Sequence, residues 1–271
     1  MRESLPPVIP AAGFSNHRQA RFVLSPERLD AYPEGVRPDG RAPMPYTLIT
    51  ANRNYSSWSL RPWVLMKALG IPFADRLEPF VQSINYSAFR NFSPTGQVPA
   101  LIDGDRTVWD SLGITLYLAD RHPAVWPQEE SARAFAQSAV AEMHSGFATL
   151  RNECPMNVGV RVERDLPSPQ LNRDIARLSE LWGEGLKRFG GPFLAGPAFT
   201  ATDAFYAPVA FRVRTYDLNV GPVAHGWVDH MLAHSAMREW EAAALAETWR
   251  EESHEADVGA AGRIIEDYRA S

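Results

Sequence analysis

The stretch Asn54-Tyr55-Ser56-Ser57-Trp58-Ser59-Leu60-Arg61-Pro62-Trp63 decides how this chain is read. It follows a short apolar run, Tyr46-Thr47-Leu48-Ile49-Thr50, that reads as a strand, and it leads into a helical run ending near Leu69. Small hydroxyl residues at a strand-to-helix junction cap the helix and leave an oxygen facing outward. Proline is tolerated in a first helical turn, where its missing N–H has no intrahelical partner. With Ser59 as the N-cap, Pro62 sits in that first turn. Ser56 and Ser57 then lie just ahead of the positive end of the helix dipole, where an anion such as a thiolate is stabilised.

Before that junction the chain is of another kind. Residues 1–43 carry Pro6, Pro7, Pro10, Pro26, Pro33, Pro38 and Pro43 without a helical or strand period, and read as a flexible N-terminal extension dispensable for folding. The prolines interrupt every apolar cluster that a secretory signal would need, and acidic residues nearly balance the arginines, unlike an organelle transit peptide.

After the junction, Leu77 with Phe80-Val81 marks a second strand near 75–81, and 82–95 reads as polar loop with room for a helical turn. Val98-Pro99-Ala100-Leu101-Ile102 is a strand with proline at its edge. Asp103-Gly104-Asp105 turns the chain into Thr107-Val108-Trp109. Asp110-Ser111 then opens a nearly all-apolar helix, Leu112 to Ala119, which such a composition requires to be buried. His122-Pro123 and Trp126-Pro127 form an interdomain linker.

Beyond the linker the period is helical throughout. Phe135, Ala139, Met143, Phe147 and Leu150 share one face of a single amphipathic helix, and Leu171, Ile175, Leu178, Trp182, Leu186 and Phe189 repeat the pattern up to Gly190-Gly191-Pro192. Thr200 and Asp203 frame a capping box, Pro208 interrupts the helix that follows, and Ser235 caps a last helix, 236–247. The organisation is α/β plus all-α: a small α/β domain at 44–123, an all-helical domain at 129–250 and a C-terminal tail at 251–271.

Composition bounds the function. With 45% hydrophobic and 22% charged residues and a net charge of −5, nothing points to nucleic acid or an acidic membrane surface as partner. No apolar run approaches the roughly 18 residues that span a bilayer. The single cysteine, Cys154, excludes an intramolecular disulfide and any two-thiol mechanism, and suits a reducing cytoplasm.

Three motifs, in this order, resemble the cytosolic glutathione S-transferase superfamily in its serine-dependent, zeta-like and bacterial branch. They are Ser56 to Trp63, Gln97-Val98-Pro99-Ala100-Leu101 and Asp110-Ser111, and the resemblance runs from about Pro45 to Glu247. It implies a thioredoxin-like N-terminal domain followed by a helical bundle. It also implies glutathione as co-substrate, no metal, a homodimer, a cytoplasmic location and a role in detoxification. By this resemblance Ser56 stabilises the glutathione thiolate, with Ser57 in that role if the loop register differs by one. A cis Val98-Pro99 bond presents the Val98 backbone to the cysteinyl unit, like an added strand. Gln97 reaches the glycyl end, Asp110 the γ-glutamyl ammonium and Ser111 its carboxylate. The serine is a stabiliser and not the nucleophile, because a thiol is mostly protonated at pH 7 and the thiolate is what attacks.

The second substrate, a hydrophobic electrophile or peroxide, is expected against Trp58, Met143, His144, Phe147 and Arg151. Arg212 and Arg214 are weaker candidates for polarising the electrophile, and a solvated or salt-bridged face is the preferred reading of them. Zeta-class isomerases carry a cysteine just after the serine pair, where this chain has Trp58. Conjugation or peroxide reduction is therefore the leading expectation. A glutathione-dependent isomerase or dehalogenase and a non-catalytic binding module are the alternatives.

Overall fold

The computed structural model describes residues 46–80 and 85–270. The extension at 1–43 lies outside the described residues.

Strand β1 (Tyr46–Thr50) runs parallel to β2 (Phe73–Leu77) and antiparallel to β3 (Ala100–Asp103), which pairs with β4 (Arg106–Trp109), giving the sheet order β2-β1-β3-β4. Leu48 and Ile49 of β1 are fully buried, as a central strand covered on both faces demands. Helix α1 (Ser57–Ala68) crosses between β1 and β2, α2 (Asn85–Phe89) is a single turn, and α3 (Ser111–Ala119) follows β4. This is the thioredoxin-like arrangement the resemblance implies. Strand β2 begins earlier than 75–81, because Phe73 pairs with Tyr46 while Phe80 packs on Phe89 instead.

Helix α1 also begins earlier than expected. Ser56, not Ser59, is its N-cap, and Pro62 lies inside the helix. The winding starts in the turn at Asn52, whose carbonyl accepts the Ser56 N–H at 2.9 Å, and the Ser56 carbonyl accepts the Leu60 N–H at 3.1 Å. Pro62 thus withholds only the bond to the Trp58 carbonyl. Helix α3 is less enclosed than its composition demands. Ser111, Ile114, Thr115 and Leu118 are buried, but Leu116 is 50% exposed in the single chain.

The helical part comprises α4 (Glu130–Ser145), α5 (Ala148–Glu153), α6 (Pro169–Phe189), α7 (Ala201–Tyr216), α8 (Pro222–Ala233) and α9 (Ser235–Ala246), after a 3-10 turn at Pro123–Val125. Helix α7 is buried on nearly every face and opens on the expected Thr200–Asp203 capping box. Pro208 stays within it, enclosed by its neighbours. Asp203 also accepts the Trp227 indole N–H at 3.2 Å, and Trp227 lies 4.5 Å from Trp182, centroid to centroid. His234 rather than Ser235 caps α9.

Two larger features also depart from the sequence reading. The single helix through Phe135 and Leu150 is broken at Gly146 and Phe147, the latter at φ 56°. A side chain at Gly146 would meet the Glu142 carbonyl at 2.8 Å, so the chain turns there with no Cβ in the way. Residues 251–271, read as a tail, contain α10 (Glu252–Ala261) and β6 (Arg263–Asp267), and β6 pairs antiparallel with β5 (Val160–Glu163).

Candidate active site

The ends of α1 and α3, the segment before β3 and helices α4, α5, α7 and α10 enclose one cleft of about 890 Å3. That volume is within the usual range for small-molecule sites, about 300–1,000 Å3. The loop that carries Ser56 is held from the far end of the chain. Glu247 accepts the Arg53 N–H at 2.7 Å and the Asn54 N–H at 3.3 Å, and the Trp240 indole donates to the Arg53 carbonyl at 2.9 Å.

Ser56 and Ser57 both line the cleft and both are buried. The Ser56 hydroxyl donates to Ser59 Oγ at 2.7 Å, and Ser59 Oγ also takes the Ala51 N–H at 3.4 Å. Ser56 makes no side-chain cap bond to α1, which leaves first-turn N–H groups of that helix available to an anion. The Ser57 hydroxyl has no hydrogen-bond partner among the described residues.

Gln97 and Val98 line the same cleft, next to a Val98-Pro99 bond that is cis, as the resemblance implies. Neither the N–H nor the C=O of Val98 has a backbone partner among the described residues, which leaves a free strand-like edge. Asp110 stands at φ 68°, a region that disfavours side chains, and its Oδ1 accepts the Leu112 N–H at 2.7 Å. Ser111 is fully buried, with its Oγ 3.4 Å from Arg61 Nη1. All seven glutathione-side candidates, Ser56, Ser57, Gln97, Val98, Pro99, Asp110 and Ser111, thus converge on one cleft.

The second-substrate candidates divide. Trp58, His144 and Arg151 line the cleft. Met143 and Phe147 do not: both are buried core residues, and Phe147 packs on Tyr206 after the break at Gly146 turns it inward. Trp58 is bracketed by cations, with the Arg61 guanidinium 4.0 Å and the Arg151 guanidinium 5.8 Å from its ring centroid, and His144 edge-on at 5.4 Å. His144 Nε2 is 3.7 Å from Asp110 Oδ1. Burial depresses the His144 pKa below the ordinary histidine value, Asp110 opposes that shift, and Arg61 and Arg151 add to it.

Several lining residues escaped the sequence reading. Arg214 is paired with Glu241 at 2.6 Å, as expected of a salt-bridged face, but Arg212 is buried and lines the cleft. The signal was the spacing: residues two apart on a helix point to different sides. Helix α10 supplies a further wall through Ser253, His254 and Asp257, with Glu251 just before it. His254 stacks between Tyr55 at 4.9 Å and Phe80 at 5.1 Å, and Glu255 accepts the Tyr55 hydroxyl at 2.6 Å. Cys154 is fully buried, and burial pushes its thiol up to about 11, so it is no nucleophile for this cleft. Among the described residues, no group of three or more His, Cys, Asp or Glu is placed to hold a metal, and no helix is long and apolar enough to cross a membrane.

Comparison with known proteins bears on the family and the fold. The family model for the glutathione S-transferase N-terminal domain matches residues 55–121, and that for the C-terminal domain matches 133–243. The chain is 28% identical over 123 residues to a zeta-class glutathione S-transferase of Euphorbia esula, covering 44% of this chain and 55% of that one. It is 36% identical over 96 residues to human glutathione S-transferase theta-1, covering 34% and 39%. These matches span about half or less of either relative's length. A Burkholderia glutathione transferase homolog solved with bound glutathione shares the fold, with TM-score 0.54 and 20% identity over 73% of this chain and 96% of that one. With both domain models matched in order and the thioredoxin-like and helical parts in place, the chain belongs to the glutathione S-transferase superfamily.

Proposed function

We propose that this protein is a glutathione transferase that stabilises the glutathione thiolate with Ser56 at the N-terminus of α1. One observation carries the reading: the hydroxyl end of α1, the unpaired backbone of Val98 and the Asp110–Ser111 start of α3 all face one cleft. In this reading the cysteinyl backbone of glutathione pairs with Val98, its ammonium meets Asp110, and its γ-glutamyl carboxylate meets Ser111 and the N–H groups of α3. Gln97 faces the glycyl end. The thiol then lies at Ser56, which gives up Ser59 and donates to sulfur.

Stabilising the anion lowers the thiol pKa, so more of the bound glutathione is nucleophilic at pH 7. Sulfur attacks the electrophile beside Trp58, a C–S bond forms, and the leaving group departs with its electron pair. The catalyst is a homodimer in the cytoplasm in this reading. The exposed Leu116 on α3 supports a partner surface, and the lone buried cysteine fits a reducing compartment.

The test is an ultraviolet titration of the bound thiol. The wild-type complex is expected to titrate below free glutathione, and Ser56→Ala to lose that shift. An unchanged pKa in Ser56→Ala with loss in Ser57→Ala moves the role by one residue. Tight glutathione binding without turnover of a broad electrophile panel favours a binding module, and turnover of a single metabolite favours an isomerase or dehalogenase.

A further inference from the structure

One end of the cleft has an unusual charge arrangement. Arg151 on α5 and Arg212 on α7 line it, and Arg61 lies behind Trp58. Arg61 and Arg212 are 1% and 4% exposed. Among the described residues none of the three has a carboxylate within ion-pairing distance. Arg212 donates Nε to the Cys154 carbonyl at 2.8 Å and Nη1 to the Pro208 carbonyl at 3.4 Å. Arg151 donates Nη1 to the Met143 carbonyl at 3.3 Å, and the Nε of Arg61 is buried without a partner.

Buried guanidinium groups are ordinarily paired, because an isolated charge is costly to remove from water. Burial depresses the basicity of all three arginines, and Arg61 and Arg212 also feel the charge of other arginines of the group. The effect on Arg151 comes first from burial, with Asp174 opposing it. Three carboxylates line the cleft. Asp110 caps α3, Glu251 is hydrogen-bonded to Ser253 and His254, and Asp257 is exposed on α10. Asp110 offsets part of the charge of Arg61, and none of the three forms an ion pair with Arg151 or Arg212.

We infer that Arg151 and Arg212 form a recognition wall for a carboxylate, so that the second substrate is an anionic electrophile whose apolar body lies on Trp58. The inference rests on the glutathione reading of the same cleft. Glutathione's γ-glutamyl end is accounted for at Asp110 and Ser111, and its glycyl end at Gln97, which leaves these arginines to the other substrate. A planar guanidinium suits a carboxylate through paired N–H donors. Trp58, edged by His144, supplies the flat apolar surface beside it.

Calorimetry on the full chain saturated with S-methylglutathione tests this, with 3,5-dinitrobenzoate and its neutral methyl ester as probes. The wild type is expected to bind the benzoate at least tenfold more tightly than the ester. Arg151→Met and Arg212→Met are each expected to shrink that ratio at least fivefold, and Arg212→Lys to keep part of it. If Arg212→Met does not fold, Arg151→Met decides the outcome. Equal binding of the two probes by the wild type overturns the inference. So does a matching loss of S-methylglutathione affinity in both arginine variants, which would assign the arginines to glutathione's own carboxylates. If S-methylglutathione fails to bind the wild type, the glutathione reading falls and takes this inference with it.

Discussion

The Glu247 carboxylate accepts the backbone N–H of Arg53 at 2.7 Å, so a residue just past α9 holds the loop that ends in Ser56. The same carboxylate takes the N–H and the side-chain amide of Asn54, at 3.3 and 3.2 Å. Removing it leaves buried donors without an acceptor, which costs about 1–3 kcal/mol for each stranded group. Glu247→Ala is expected to lower stability by about 2–4 kcal/mol in urea unfolding. Glu247→Gln, which keeps one acceptor oxygen, should fall between. A loss under ~0.5 kcal/mol, the size of an ordinary surface change, would show that Glu247 does not hold the loop.

Ser59 sits behind Ser56 and positions its hydroxyl at 2.7 Å. Ser56→Ala is expected to reduce kcat/KM on the order of a hundredfold, the scale for losing one donor to a developing anion. Ser59→Ala should reduce it by less, about threefold to tenfold, and raise the bound thiol pKa only partway. Equal effects of the two substitutions would put Ser59 in direct contact with sulfur.

His144 gives the site a pH signature. Its folded-state pKa lies below the 6.5 of a free histidine, so the unfolded chain binds the proton first as pH falls. Stability is therefore full above about 6.5 and is lost as pH drops toward the folded value. His144→Asn should lose less stability between pH 7.5 and 5.5 than the wild type, measured by urea midpoints. A wild-type and variant loss of the same size would mean that His144 titrates normally.

The wall contributed by α10 predicts a separable defect. A chain ending at Arg250 lacks the stack of His254 on Tyr55 and Phe80 and the Glu255 bond to the Tyr55 hydroxyl. It is expected to keep its far-ultraviolet helical signal, to melt at a lower temperature and to show a glutathione KM raised at least fivefold. An unchanged KM would mean that α10 is only a cover.

Much of this was legible from local chemistry. Short apolar runs and turn signals located β1, β3 and β4 but misplaced β2 and missed β5 and β6, and Thr200–Asp203 announced its capping box because both partners of that motif lie within one turn. Ser56, Val98 and Asp110–Ser111 were readable as a group only through the resemblance, since they are brought together by a sheet whose pairing is non-local. The break at Gly146–Phe147 was invisible to periodicity, because apolar spacing continues across it while the backbone does not. Pro62 misled for a related reason: it marks where a helix tolerates proline, but the turn at Asn52 had already begun the winding. Arg212 was read as surface since charge alone says nothing about what a helix face meets. Helix α10 was missed because only Val258 of it is buried, so it carries almost no apolar pattern.

The dependence of the Ser56 loop on Glu247, and of the cleft on residues as late as Asp257, also orders events in time. Chains fold progressively as they leave the ribosome, N-terminal parts first. The sheet and α1 form from residues 46–109, yet the loop has no carboxylate to grip and the cleft no fourth side until some 150 residues later have emerged. A nascent chain of this protein would hold its serines in a half-built socket until the residues through Asp257 have emerged.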